Sequence, residues 1–150
     1  MKSTPSARQI AVSLLAGRDY SRQQIKQKLE AKEFAAEEIE AVLDACEQSG
    51  YIDDKRFAQM LLRSHIYKGH GPIRIKQAMM LKGVSSEIVA EAINGSDCDW
   101  FELAKEKVEK KYTNKAIADY KEKAKRIRFL MGQGFDYEQA NYALSQSNTE

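Results

Sequence analysis

Residues that form cross-links or hold metals are scarce in this sequence. Its two cysteines, Cys46 and Cys98, stand 52 positions apart and form no CxxC pair. That excludes a disulfide framework or thiolate metal knuckle and fits two reduced thiols in a cytoplasmic setting. The two histidines, His65 and His70, have no cysteine or acid beside them as a co-ligand, so no metal site is expected. No run of 18 apolar residues occurs, so no segment is expected to span a membrane. The short apolar run at residues 10–16, flanked by Arg8 and Arg18, has helical spacing and not the build of a secretory signal. Glycine-rich phosphate loops, GxSxG and HExxH are missing. Without a visible nucleophile–base pair, neither an enzyme nor a cofactor is expected.

Strand-like alternation of apolar and polar residues is nearly absent too. Apolar residues recur at three and four, which predicts an all-α protein. Thr4 as N-cap and Pro5 at the first helical position would open a first helix, buried through Ile10, Leu14 and Leu15 and ended by Gly17. Ser21 and Gln24 form a capping-box pattern for a second helix, with Ile25 and Leu29 inward. A third, over residues 36–49, turns Ile39, Val42, Leu43 and Cys46 inward before Gly50. Asp53 caps a fourth, carrying Phe57, Met60, Leu61 and Ile66, until Gly69 and Gly71 break it. Pro72 starts a fifth with Ile75, Ala78 and Met79 inward and Gly83 at its end. Ser85 or Ser86 caps a sixth with Val89, Ala92 and Ile93, and Asn94-Gly95-Ser96 is a turn. Asp99, with Glu102 placed for a capping box, opens a seventh packed through Trp100, Leu103 and Val108. After the polar turn Thr113-Asn114-Lys115, an eighth covers residues 119–133. A ninth starts at Asp136, with Gln139 as its partner, and ends near Ser145; residues 145–150 are expected to fray.

The pattern repeats. At an offset of 50, Ile25-Lys26-Gln27 aligns with Ile75-Lys76-Gln77, and Leu29 with Met79; at 51, Gly83 aligns with Gly134 and Glu87 with Glu138. Three tandem three-helix units are expected, over residues 1–50, 51–97 and 98–150. Stacked in series they would make an elongated, curved body, a shape suited to a long partner such as a duplex or a protein filament. The lack of a heptad run or a spare apolar helix face favours a monomer.

Charge is balanced overall, 24 bases against 22 acids, yet residues 55–86 hold seven Lys/Arg and no acid. A fold gains nothing from one-signed charge; an anionic partner gives it a use. Lys68, Arg74 and Lys76 are the candidate contacts in the middle unit. In the last, Lys121, Lys125 and Arg128 recur at i, i+4 and i+7 on one helical stripe bordered by Phe129, opposite Ala124, Ile127, Leu130 and Met131. Five bases in eight residues mark that helix.

Tyr51-Ile52-Asp53-Asp54-Lys55-Arg56-Phe57-Ala58, then Lys68-Gly69-His70-Gly71-Pro72, Ile73-Arg74-Ile75-Lys76-Gln77 and Lys82-Gly83-Val84-Ser85, resemble the signature of the RecX family of regulatory proteins. The resemblance covers nearly the whole chain, including the Asp99-Trp100 start of the third unit; Glu33 departs from it, standing where the second unit has Gly83. It implies a negative modulator of the recombinase RecA. Such a protein lies in the groove of the RecA–DNA filament, blocks its extension, and damps strand exchange, ATP hydrolysis and co-protease activity in the SOS response. Weak direct DNA binding would accompany this. The alternative is a stand-alone helix-turn-helix DNA-binding protein, with Arg74 and Gln77 aimed at base edges; no dimerisation element is evident for it.

Overall fold

The structure, a computed structural model, describes residues 4–113 and 115–147. Among these residues there are nine helices and no strand: α1 Ala7–Gly17, α2 Arg22–Ala31, α3 Ala36–Gln48, α4 Asp54–Tyr67, α5 Pro72–Leu81, α6 Ser86–Asn94, α7 Trp100–Tyr112, α8 Tyr120–Gly132 and α9 Tyr137–Ser147. Of the tail expected to fray, residues 148–150 lie outside the described residues, as does Asn114 of the polar turn.

Helix starts follow local chemistry. The Gln24 amide donates to Ser21 Oγ at 3.1 Å and the Ser21 amide to Gln24 Oε1 at 2.9 Å, satisfying two orphan donors. Asp136 and Gln139 repeat the exchange at 2.8 and 2.9 Å. Asp53 accepts from the Arg56 amide. Asp99 Oδ1 accepts from the amides of Phe101 and Glu102. The Glu102 carboxylate does not close a box; it accepts the Tyr142 hydroxyl at 2.7 Å instead. The first helix departs from expectation. Ser6, not Thr4, is the N-cap, because Ser6 and Gln9 exchange both capping hydrogen bonds, which Thr4 followed by Pro5 has no matching glutamine to do.

Three helix ends share one turn. The amides of Phe34, Val84 and Phe135 donate to the carbonyls of Leu29, Met79 and Leu130, five residues back, at 3.4, 3.1 and 3.2 Å. The residue before each is left-handed: Glu33 at φ 66°, Gly83 at 86° and Gly134 at 103°. The aligned Gly83 and Gly134 therefore do the same backbone task, and Glu33 does it with a side chain attached.

Two compact units divide the chain: residues up to 60 with 79–89, and residues 61–78 with 90 onward. In the first, Ala7, Ala11, Ile25, Leu29, Ile39, Leu43 and Cys46 form the core, edged by Ile10, Leu14, Leu15 and Phe34. The deepest residues of α1 are thus its alanines, which let the helix approach closely, and not its larger side chains. Each fully buried Ile or Leu contributes about 1.5–3 kcal/mol. Ser21 Oγ also donates to the Lys82 carbonyl, and the Arg22 amide to Asp54 Oδ1 at 2.9 Å. The Arg22 guanidinium bonds Glu40, Asp44 and Glu47 of α3. Arg56 is held by both Asp19 oxygens at 3.0 Å and by the Gly50 carbonyl. On α4 the buried residues are Phe57, Ala58 and Leu62; Met60, Leu61 and Ile66 are only partly covered.

In the second unit, Ala104 and Val108 of α7 pack with Leu130, Phe135, Ala140, Ala143 and Leu144. Phe129, expected at the border of the basic stripe, packs against this core and meets Tyr112 edge-on, ring centroids 6.0 Å apart. Met131, expected inward, is 48% exposed.

Candidate partner-binding surface

Every side chain marked out by charge in the sequence, Lys68, Arg74, Lys76, Lys121, Lys125 and Arg128, is exposed. All six belong to the second unit. Among the described residues none of them has an ion-pair partner. Arg22, Arg56 and Arg126 do.

The segment after α4 sets the geometry. Tyr67, 92% exposed, ends the helix and Lys68 follows in the turn. Gly69 reverses the backbone at φ 77°, and the His70 amide donates back to the His65 carbonyl at 3.0 Å. Next, the Gly71 and Ile73 amides donate to the carbonyls of Gln133 and Gly134, in the turn between α8 and α9, at 2.9 and 3.0 Å. The two strands of backbone touch there. A Cβ on Gly71 would strike the Gly134 carbonyl, and one on Gly134 would strike Arg74 Cβ. The glycines that read as helix breakers thus form a crossing that fixes the root of Arg74.

Lys107 of α7 reaches this segment. Its Nζ donates to the Lys68 carbonyl at 2.8 Å. Burial, then Arg74 and Lys110, push its pKa below that of an ordinary lysine. Behind these bases, His65 Nδ1 and His70 Nδ1 lie 2.8 Å apart. His70 is buried. Burial, with Arg74, His65, Lys107 and Lys68, lowers its pKa to about 4, and burial, Lys68 and Arg74 lower that of His65. Like charges are thus close enough to act on one another, and no carboxylate opposes those shifts. Repulsion of this kind costs the folded chain stability and is relieved by a bound anion.

Lys76, exposed on α5, contributes to none of these shifts. Lys121, Lys125 and Arg128 form a separate stripe on α8. Arg126, within the same basic run, is withdrawn from it: only 5% exposed, it donates to Glu122 Oε1 at 3.1 Å and the Lys115 carbonyl at 2.9 Å, and lies 4.4 Å from the Tyr112 ring centre.

Three family models match this arrangement of helices: "RecX, first three-helix domain" over residues 7–46, the second over 53–93 and the third over 97–144. The chain belongs to the RecX family. It is 42% identical over 140 residues to the regulatory protein RecX of Vibrio vulnificus strain CMCP6, covering 93% of this chain and 92% of that one. With RecX of Shewanella oneidensis strain MR-1 it shares 47% over 123 residues, 73% of this chain and 97% of the relative. The fold matches the crystal structure of RecX from Lactobacillus salivarius with a TM-score of 0.80 at 21% identity, covering 94% of each chain. RecX proteins are regulatory proteins by name.

In this RecX-family chain, the charge pattern of the sequence singles out Lys68 and Arg74, which the fold brings beside Lys107, and gives no sign of Lys107 or of the histidine pair. Lys107 lies between Glu106 and Glu109, so its local charge is balanced and only the tertiary fold reveals its company. The two histidines, five apart across a helix end, carried no signal of pairing.

Proposed function

We propose that this chain is a non-enzymatic modulator of RecA. It binds the RecA–DNA filament along its helical groove and blocks extension, which damps strand exchange, ATP hydrolysis and co-protease activity. Family membership supports RecA as the partner. The observation that carries the choice of surface is the cluster of Lys68, Arg74 and Lys107, held together without a neutralising carboxylate. The exposed Lys121, Lys125 and Arg128 extend the cationic contact, and Lys76 lends charge from α5. The chain acts as a cytoplasmic monomer by occupying space, with its own direct DNA affinity weak.

The test is binding to bare duplex DNA and to a RecA–DNA filament across salt concentrations. Weak, steeply salt-dependent binding to duplex that tightens on the filament is expected. Tight, sequence-selective binding to bare duplex, unchanged by RecA, would instead identify a helix-turn-helix DNA-binding protein.

A further inference from the structure

The His65–His70 contact has no role in a surface that works by charge alone. Its geometry defines what it can do. A 2.8 Å separation between two Nδ1 atoms requires one proton between them. In the neutral pair one ring donates Nδ1–H and the other accepts. One further proton, placed on the outer Nε2 of the donor ring, keeps the contact and makes it charge-assisted. A second proton would put a donor on both Nδ1 atoms and break it. The pair can therefore take up one proton and only one while the loop keeps its shape.

The groups facing the pair decide when that happens. They are Lys68 beside it in the loop, Arg74 from α5 and Lys107 from α7, all cations. From the α8–α9 turn, the Gln133 and Gly134 carbonyls bond the neighbouring amides of Gly71 and Ile73 and carry no net charge. In the free chain these three cations oppose a fourth positive centre. An anion seated on Lys68, Arg74 and Lys107 removes that opposition.

We propose that engagement of nucleic-acid phosphates by Lys68, Arg74 and Lys107 is coupled to uptake of one proton by the His65–His70 pair. His65, the less buried ring, takes the proton. This rests on the reading that the cluster faces an anionic partner. A repeating phosphate backbone fits it better than an isolated carboxylate, because three bases are crowded here and the exposed Tyr67 beside Lys68 offers a stacking face to a base. By linkage, affinity for the polyanion rises as pH falls, and binding raises the proton affinity of the pair by the same factor.

The probe is an oligothymidylate of about 20 nucleotides, longer than a typical single-strand site of about 4–16 nucleotides, whose bases do not titrate in the range used. Its affinity for the full chain is measured from about pH 8 to about pH 5.5, the window in which histidines change charge. His65→Asn and His70→Asn serve as variants, since an asparagine amide occupies roughly the Nδ1 position. Calorimetry in two buffers of different ionisation enthalpy counts the protons taken up. The wild-type affinity is expected to gain up to about tenfold per pH unit more than either variant over part of the range, with all three proteins equal near pH 8. Equal pH slopes, zero proton uptake on binding, or no binding of the oligonucleotide at any pH would overturn the coupling. So would proton uptake seen with RecA protein alone and not with the oligonucleotide, which would assign the cluster to an acidic protein surface. Failure to act on RecA with intact coupling to the oligonucleotide would refute the proposed function and leave this inference standing.

Discussion

Replacing Arg126 with methionine separates the structural arginine of α8 from its exposed neighbours. The Nη1 donates to the Lys115 carbonyl at 2.9 Å, a charged hydrogen bond worth about 2 kcal/mol. The ion pair with Glu122, whose side chain is 29% exposed, adds about 0.5 kcal/mol after screening. The guanidinium 4.4 Å from the Tyr112 ring centre adds about 1 kcal/mol. The contact to the Ala116 carbonyl, at 3.5 Å, adds little. Methionine restores some stem packing, so the net loss is about 3 kcal/mol. With a urea dependence of about 2 kcal/mol per molar, the midpoint falls by about 1.5 M. Trp100, the single tryptophan, lies in the same unit and reports the transition by fluorescence. Lys125→Met, one position away and exposed, should stay within about 0.5 kcal/mol of wild type. Equal midpoints for the two variants would refute the assignment of Arg126 to the fold.

Three further outcomes follow from the backbone and the histidines. Gly71→Ala forces the two crossing backbones apart and should cost about 2–4 kcal/mol, lowering the melting temperature by roughly 5–10 °C; Gly17→Ala, with nothing within 4 Å, is the neutral control. Glu33→Gly relieves a left-handed φ of 66° and should raise the urea midpoint by an amount equivalent to about 0.5–1 kcal/mol; a loss of stability there would contradict the strain. His70 has its pKa depressed to about 4 in the fold, so between that value and about 6.5 the unfolded chain binds a proton that the folded chain does not. Stability is therefore full above about pH 6.5 and declines as pH falls toward 4, and urea midpoints at about pH 7 and 5 should show a drop that His70→Asn reduces.

Legibility in the sequence follows the range of the interaction. Caps are local, so Ser21 with Gln24, Asp53, Asp99 and Asp136 with Gln139 placed helix starts correctly from spacing alone. Ser6 was masked by a Thr4-Pro5 pair that satisfies the same rule with fewer bonds. Helical periodicity placed Ile25, Leu29, Leu43 and Ile75 in the core, but could not distinguish Leu62, which is buried, from Leu61, which is half-covered. Charge was legible only as a count along the chain. Residues 55–86 are free of acids, yet Arg56 is neutralised by Asp19, 37 residues away. Five bases crowd α8, yet Arg126 faces inward. Lys107, flanked by acids, joins the cationic cluster because α7 delivers it to the Lys68 carbonyl, a contact across 39 residues. The three equivalent left-handed turns stood out through Gly83 and Gly134, and the glutamate at the first was the visible exception.

Restraint of RecA by this RecX-family chain is proposed to run through the cationic surface around Lys68, Arg74 and Lys107. Its most direct test is RecA-driven, DNA-dependent ATP hydrolysis with the chain added at substoichiometric amounts, wild type against Lys68→Glu/Arg74→Glu/Lys107→Glu of confirmed native helicity. Wild type is expected to suppress hydrolysis and the triple variant to leave it untouched; suppression by both, or by neither, would contradict this role for the surface.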